Sequence, residues 1–340
     1  MTIILDAMGS DKYPEPEIQG AITAAGMFGE EILLVGHEEI LRPKLEAMNT
    51  QKFPVTIIHA ADVLEMEDKA VAGATKKPNN SMAVGLKLVK SGRGQAFVSA
   101  GNTGGVMFNA LRTLGRIKGV QRPGLTALFP TRKGRCVVLD IGANADCRPE
   151  YLLQFALMGS LYAQNVLGIE KPRVGLLSNG EEAGKGNQLI KETFPLLQKS
   201  ELNFFGNVEA KELFGGEVDV VVTDGFTGNV LLKSSEAVAK LLIDTLRSEL
   251  KSSLITQIGA GLAMPAFKHL RKLMDPEEVG AAPLLGIDGL VFVGHGRSNA
   301  PAIVSAIQVA RSAVQSNLIE KLRQNIQKNQ AQFELVPPPA

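Results

Sequence analysis

Short apolar runs alternate with more polar segments from the start of the chain. Residues 2–5, 31–36 and 55–59 are almost continuously apolar, and segments 17–27 and 38–48 between them are predicted to be helices. Apolar runs of this length are typical of strands buried on both faces of a parallel sheet, with the intervening helices as covering layers. The first part of the chain therefore predicts a β-α-β-α-β arrangement.

The same alternation continues to the last polar residues of the chain. Further strands are predicted at 95–99, 136–140, 174–177, 202–208, 218–223 and 289–294. Further helices are predicted at 81–90, 149–167, 230–250 and 302–325. We find neither a linker nor a repeat, so we predict a single α/β domain with two lobes over residues 1–330 and a mostly parallel sheet. A polar and then proline-rich tail, 327–340, is expected to be flexible.

Five predicted strands are each followed by a turn rich in Gly, Asn, Asp, Ser or Thr. These turns are residues 6–11, 99–105, 140–146, 178–187 and 223–229. Such residues are common in ordinary βα turns, so one turn alone indicates little. Carboxyl ends of parallel strands share one edge of a sheet, where ligands bind. We therefore expect the five turns to converge on one polar cleft.

The turn at 178–187 has the clearest chemistry. It joins a buried strand to a helix start at Gln188 and carries a single lysine, Lys185. Backbone N–H groups and a helix N-terminus in such a turn can bind an anion, and the lysine adds a mobile positive charge. We predict that this turn helps to bind a phosphate.

Two well-known phosphate motifs do not match. Only three residues separate Gly180 from Gly184, and no Ser or Thr follows Lys185, whereas a Walker A loop needs four residues and a hydroxyl. The first βα turn has one glycine, not the three of a dinucleotide-binding fingerprint. Neither ATP nor NAD is indicated, and no cofactor is predicted.

Composition narrows the remaining classes. The chain has 36 Lys and Arg against 35 Asp and Glu, no Trp and three Tyr, so nucleic-acid binding is not expected. Two cysteines, Cys136 and Cys147, form neither a disulfide framework nor a metal-ligand pattern, which fits a reducing cytoplasm. The four histidines lack metal-ligand spacing, and only His295 is placed for catalysis, with a structural role equally favoured. No signal peptide or membrane span is predicted.

Five segments together carry a family resemblance. They are residues 4–9, 99–104, 139–147, 180–187 and 224–233, and they resemble the bacterial phosphate acyltransferase family PlsX in the family's motif order. The resemblance extends from residue 3 to about residue 325. Ser10 stands where the family usually has glycine, and Ser178 where an apolar residue is common.

The resemblance implies a fold and a reaction. The fold is a three-layer α/β/α Rossmann-like sheet, similar to isocitrate and isopropylmalate dehydrogenases and to phosphotransacetylase, with a protruding helical hairpin. The reaction converts acyl-acyl carrier protein and inorganic phosphate into acyl phosphate and free carrier protein. Acyl phosphate then supplies a glycerol-3-phosphate acyltransferase in phospholipid synthesis. The resemblance also implies a cytoplasmic homodimer, peripherally associated with the inner face of the cell membrane.

The site residues are assigned by the same resemblance. Lys185 and Asn229 are expected to be catalytic, with Asn179, Asn187 and Asn229 donating amide N–H groups to phosphate. Asp140, Asp146 and Asp224 are expected to orient these donors. Backbone N–H groups of 101–104 and 225–228 are expected to complete the cradle, without a metal ion. The predicted substrate- and phosphate-binding residues are Gly101, Asn102, Thr103, Gly104, Asn144, Asn179, Glu181, Gly186, Asn187, Asp224, Gly225, Thr227, Gly228 and His295.

Residues 240–276 interrupt the βα alternation. Apolar residues at helical spacing, with a break at Pro265, predict a hinged pair of helices over 252–263 and 266–274. One hypothesis is a helix pair at a dimer interface. The other is a basic amphipathic tip that contacts anionic lipid or the acidic carrier protein. The predicted contact residues are Leu262, Lys268, Arg271 and Lys272.

Two alternative functions remain open on the sequence. A phosphotransacetylase-like enzyme that uses acyl-CoA would share the phosphate-binding features. A non-catalytic membrane scaffold could keep the fold, although it would not need Lys185 and Asn229.

Overall fold

A computed structural model describes residues 1–267 and 280–329, and its strands form one sheet. The order across the sheet is β3-β2-β1-β4-β11-β10-β5-β6-β9-β7-β8. The strands are β1 (Thr2–Asp6), β2 (Glu31–Gly36), β3 (Val55–His59), β4 (Ala96–Ser99), β5 (Gly124–Thr131), β6 (Gly134–Leu139), β7 (Val174–Leu177), β8 (Phe204–Val208), β9 (Val220–Val222), β10 (Ala281–Leu285) and β11 (Leu290–Gly294).

Helices connect most of these strands. The helices of the described residues are α1 (Glu15–Phe28), α2 (Glu38–Met48), α3 (Ala70–Lys76), α4 (Ser81–Lys90), α5 (Thr103–Thr113), α6 (Pro149–Val166), α7 (Gln188–Gln198), α8 (Ala210–Gly215), α9 (Gly225–Leu250), α10 (Leu254–Leu262), α11 (Ala300–Gln315) and α12 (Leu318–Lys328). None of them is both long and apolar enough to cross a membrane.

Both faces of the sheet are covered. Along β1, Ile3 and Leu5 belong to one buried apolar cluster and Ile4 to the other, and all three side chains are fully buried. Successive side chains of a strand point to opposite faces, so two buried clusters mean two covering helix layers. The predicted three-layer, mostly parallel α/β/α fold is confirmed.

Strand direction changes in the middle of the sheet. β1, β2, β3, β4 and β11 are mutually parallel, and so are β6, β7, β8 and β9. Between these sets, β10 is antiparallel to β11 and β5, and β5 is antiparallel to β6. The two parallel sets therefore run in opposite directions. We call the edge where β1, β4 and β11 end the first edge, and the edge where β6, β7 and β9 end the second edge.

This reversal corrects one prediction. The turns at 6–11 and 99–105 lie at the first edge, whereas those at 140–146, 178–187 and 223–229 lie at the second. The expectation that all five converge on one edge is wrong. Its cause is the β5–β6 hairpin, in which Thr131 pairs with Gly134 and the chain turns back on itself.

The α9 and α10 helices leave the body of the protein. Only Gly225 and Gly228, in the first turn of α9, are buried, and the rest of this 26-residue helix is partly or fully exposed. α10 contacts α9, and Leu262 at its end is 82% exposed. Lys268, Arg271 and Lys272, the second predicted helix beyond residue 267, and the tail from 330 onward lie outside the described residues.

Candidate active site

Lys185 presents an unpaired ammonium group at the second edge. Its backbone N–H donates to the carbonyl of Glu182 at 2.9 Å, which closes a tight turn. Its stem lies over Gly180, where an added Cβ would be 3.0 Å from Lys185 Cγ. The side chain is exposed, and its ammonium makes no ion pair with any residue of 1–267 or 280–329. Lys185 is therefore a cation available to a ligand.

A glycine with a left-handed backbone shapes the same turn. Gly186 has φ +99°, and an added Cβ would lie 2.6 Å from Ile190 Cβ. Its N–H donates to Asn179 Oδ1 at 2.9 Å. A side chain at this position would be strained by its φ and would collide with α7, so glycine is required here.

Three asparagines leave amide donors at the second edge. Asn179 Oδ1 accepts from Gly186, and Asn187 Oδ1 caps α7 by accepting from the Ile190 N–H at 3.0 Å. Asn229 is half-buried in the first turn of α9, with its Cγ 3.9 Å from the position of a Cβ on Gly142. Within the described ranges, the Nδ2 groups of these asparagines donate to no protein acceptor. They remain available for a bound anion.

Asp140 organises the turn after β6. Its buried carboxylate accepts from the backbone N–H groups of Leu125, Gly142, Ala143 and Asn144 at 2.7–3.1 Å. Burial raises the pKa of the Asp140 carboxyl above its ordinary value, although these hydrogen bonds oppose the shift. Asp140 thus fixes the backbone of the 140–144 turn, and its predicted role in orienting the phosphate donors stays a prediction.

Asn144 is part of the structure rather than a free donor. Its Nδ2 donates to the Pro123 carbonyl at 2.7 Å and to Asp140 Oδ2 at 2.9 Å. Its own carbonyl accepts from the Gly225 N–H at 2.8 Å. Both N–H bonds of the Asn144 side-chain amide are therefore used within the protein, and the predicted role of Asn144 in binding phosphate stays a prediction.

The first turn of α9 is likewise closed. Asp224 caps the helix by accepting from Thr227 N–H at 2.8 Å and from Thr227 Oγ1 at 2.7 Å, and Gly228 N–H donates to the Asp224 carbonyl at 2.9 Å. An added Cβ on Gly228 would lie 1.9 Å from the Asp140 carbonyl oxygen. Three of the four N–H groups in the predicted backbone cradle at 225–228 are therefore occupied within the protein, and phosphate binding there stays a prediction. The same turn of α9 carries Asn229.

Glu181 is neutralised by a lysine that is distant in sequence. Lys211 Nζ lies 2.6 Å from Glu181, 3.0 Å from Glu209 and 3.6 Å from Glu212. Lys211 also lowers the pKa of the Glu181 carboxyl. The three carboxylates lie close enough together to hold a cation, but Lys211 already occupies a place among them. Glu181 faces this cluster, which local sequence patterns do not reveal because its members come from separate turns.

Five of the predicted residues lie at the first edge, whereas Lys185 lies at the second. Asn102 caps α5 by accepting from Gly105 N–H at 2.9 Å, and its Nδ2 donates to the carbonyls of Met66 and Asp68 at 3.0 Å each. Gly101, Thr103 and Gly104 belong to the same turn, and His295 follows β11, where its Nδ1 accepts from the Arg297 N–H. The turns at 99–105 and 223–229 follow strands that end at opposite edges, and a phosphate cradle shared between them stays a prediction.

Comparison with known proteins identifies the family. Residues 1–321 match the model of a family described as fatty acid synthesis protein. The phosphate acyltransferase of Elusimicrobium minutum is 46% identical over 335 residues, which cover 98% of each chain. That of Geobacter sulfurreducens is 44% identical over 340 residues, covering 99% of this chain and 98% of the relative.

Solved structures support the fold. A phosphotransacetylase from Streptococcus pyogenes superposes with a TM-score of 0.61 at 16% identity, covering 92% of this chain and 94% of that one. A branched-chain phosphotransacylase from Enterococcus faecalis V583 superposes with a TM-score of 0.58 at 15% identity, covering 92% of this chain and 99% of that one. Identity this low indicates a shared fold only. The full-length relatives and the family model together show that the chain belongs to the phosphate acyltransferase family.

Proposed function

We propose that the protein transfers an acyl group from the thioester of acyl carrier protein to inorganic phosphate. The observation that carries this proposal is the unpaired Lys185 ammonium beside the free amides of Asn179 and Asn187 at one sheet edge. A cation and neutral donors suit a phosphate dianion, because they add no negative charge that would repel it. Family membership supports the acyl and phosphate chemistry.

The reaction needs few protein groups. A phosphate oxygen attacks the thioester carbonyl carbon, forming a C–O bond and an oxyanion. The oxyanion collapses and breaks the C–S bond, which releases acyl phosphate and the carrier thiolate, and solvent then protonates the thiolate. Lys185 would stabilise the phosphate or the oxyanion, and Asn229 would donate to the same charge as it develops. Phosphate is already ionised and thiolate is a good leaving group, so a catalytic triad is not required.

Product formation tests the proposal. Purified protein is incubated with long-chain acyl carrier protein and radiolabelled phosphate, and labelled acyl phosphate is expected. If no labelled product forms, or if acyl-CoA gives the higher kcat/KM, the carrier-protein assignment is wrong. The second result would favour the phosphotransacetylase-like alternative. The first, with wild-type protein and Lys185→Ala equally inert, would favour a non-catalytic scaffold. The acyl phosphate would next supply a glycerol-3-phosphate acyltransferase.

The exposed helices fit a peripheral membrane contact. Ile255, Ile258 and Leu262 of α10 are 83%, 68% and 82% exposed, and α9 also exposes Leu241 and Leu242. Apolar side chains this exposed are typical of an interface with lipid or with another chain. We propose that the protein is a cytoplasmic homodimer. In this proposal the α9–α10 region forms part of the dimer interface and also contacts the inner face of the membrane.

Leu262→Glu tests the membrane contact. A charge at this exposed position should move the protein from the membrane fraction to the soluble fraction without changing its Tm. Unchanged sedimentation with anionic vesicles would contradict the membrane contact. Analytical ultracentrifugation of the wild-type protein tests the homodimer separately.

A further inference from the structure

A surface pocket lies at the second edge beside the candidate active site. It has a volume of about 610 Å³, and its lining includes Arg116, Arg122, Pro123 and Tyr151. These residues come from the loop between α5 and β5 and from the start of α6. Because β5 is antiparallel to β6, this loop enters β5 at the edge where β6 ends.

Positive charge is concentrated around this pocket. Residues 69–139 contain thirteen Lys and Arg and no Asp or Glu. The whole chain, by contrast, has 36 Lys and Arg and 35 Asp and Glu. Four exposed cations of this segment lie within eleven residues: Arg112, Arg116, Lys118 and Arg122. In the part of the chain that the structure describes, none of the four forms an ion pair, and the nearby acid Asp288 is already paired with Arg323 at 2.7 Å.

The two pocket arginines are arranged for an anion. Arg122 lies over the ring of Tyr151, with its guanidinium carbon 5.9 Å from the ring centroid. Arg116 donates one N–H to the carbonyl of Gln121. Its other N–H groups make no hydrogen bond within the described ranges. Guanidinium groups suit a phosphodiester because they present several N–H donors in one plane, and a neighbouring aromatic ring packs against an apolar arm.

Hydrogen bonds connect the pocket to the active site. Pro123, in the pocket wall, accepts from Asn144 Nδ2 at 2.7 Å, and the Asn144 carbonyl accepts from Gly225 N–H at 2.8 Å. Gly225 begins α9, whose first turn carries Asn229. The pocket wall is therefore linked through Asn144 to the helix turn that carries Asn229.

We propose that this pocket and its four cations are the docking site for the acyl donor's carrier protein. Arg116 and Arg122 bind the phosphodiester that links the thiol arm to the carrier, and Arg112 and Lys118 contact acidic side chains of the carrier. The proposal rests on the proposed function, since it requires a donor that is an acidic protein with a phosphodiester-linked arm. Charge complementarity favours such a partner and speeds its association.

The affinity of the protein for carrier protein, measured by titration calorimetry, tests the site without requiring turnover. The test variant is Arg116→Glu/Arg122→Glu. The matched control is Arg132→Glu/Arg135→Glu, which makes the same charge change in the same acid-free segment, at the opposite end of the β5–β6 hairpin. Lys118→Glu is a second test variant that disturbs no hydrogen bond of the described residues. Circular dichroism and Tm verify that each variant is folded.

The expected results are specific. Wild-type protein should bind holo carrier, which has the arm, at least fivefold more tightly than apo carrier, which lacks it. Arg116→Glu/Arg122→Glu should weaken holo binding at least tenfold and remove the holo preference, with the control within twofold of wild type.

Three results would overturn the proposal. The first is that Arg116→Glu/Arg122→Glu binds holo carrier protein with wild-type affinity. The second is that the test and control variants lose this affinity equally. The third is that the test variant loses binding to anionic lipid vesicles as strongly as binding to the carrier, which would make the patch a membrane surface. Failure of the proposed function looks different: holo carrier would bind at the patch, but no acyl phosphate would form.

Discussion

The first and second edges of the sheet have similar sequences and different chemistry. At the first edge, Ser99 donates to buried Asp6 at 2.7 Å, and both ends of the Asn102 amide are bonded to backbone. At the second edge, Lys185 and the Asn187 Nδ2 group have no partner among the described residues. Glycine- and asparagine-rich βα turns therefore serve two purposes here, one that closes the structure and one that leaves donors for a ligand.

Gly228→Ala should give the largest loss of stability. Its Cβ would lie 1.9 Å from the Asp140 carbonyl oxygen, so α9 or the 140–146 turn must move. We expect the free energy of unfolding to fall by roughly 3 kcal/mol, measured by urea denaturation. Gly104→Ala is the counterpart in the first turn of α5, where the Cβ would lie 3.0 Å from the Ala70 methyl and 3.5 Å from Asn102 Oδ1. It should change stability by at most about 1 kcal/mol, and equal losses would show that the close approach of Gly228 to Asp140 does not limit stability.

Glu17 makes the first edge sensitive to pH. It is fully buried and accepts from Ser10 N–H at 3.0 Å, and burial raises its pKa from 4.5 to about 7. The folded state holds this proton more tightly than the unfolded state, so stability falls as pH rises from the unfolded pKa to about 7 and then stays constant.

Glu17→Gln should remove this dependence. At pH 8 the Tm of Glu17→Gln should exceed that of the wild type, because the variant has no buried charge. The free energy of unfolding should be higher by roughly 1–3 kcal/mol. Exposed Glu39→Gln serves as the control and should retain the wild-type slope of Tm between pH 5 and 7. A wild-type slope in Glu17→Gln would show that Glu17 does not carry the effect.

Asn102→Ala and Asn187→Ala compare two helix caps. Each removes an N-cap, which costs about 1 kcal/mol, and Asn102→Ala also loses the bonds to Met66 and Asp68. Only Asn187→Ala should lower kcat/KM for acyl phosphate formation, by roughly tenfold, because only its Nδ2 is left without an acceptor among the described residues. Thermal unfolding and steady-state kinetics measure both quantities. A similar loss of activity in Asn102→Ala would place the first edge in the reaction.

Local patterns predicted the elements well. The strand, turn and helix around Lys185 are found at β7 (Val174–Leu177) and α7 (Gln188–Gln198). The predicted helix at 230–250 begins earlier, at Gly225, because its glycine-rich first turn resembles a loop and Asp224 caps it. Apolar periodicity and cap residues act within a few positions, so they are visible in the sequence.

Relations between distant segments could not be predicted in the same way. Strand direction depends on the β5–β6 hairpin, and one reversal moved residues 99–105 to the edge opposite Lys185. Hydrogen-bond occupancy is equally hidden: Asn144 and Asn187 look alike in sequence, yet Asn144 donates to Pro123 and Asp140. Whether an amide is free depends on tertiary contacts, which no local pattern encodes.

The most direct test compares one lysine at each edge. Lys185 and Lys12 are both exposed, and Lys12 lies next to the 6–11 turn of the first edge. The rate of acyl phosphate formation from acyl carrier protein and phosphate is measured for Lys185→Ala and Lys12→Ala. Lys185→Ala should lower kcat at least ~100-fold with an unchanged Tm, and Lys12→Ala should stay within twofold of wild type. Wild-type kcat in Lys185→Ala, or an equal loss in both variants, would contradict a catalytic second edge.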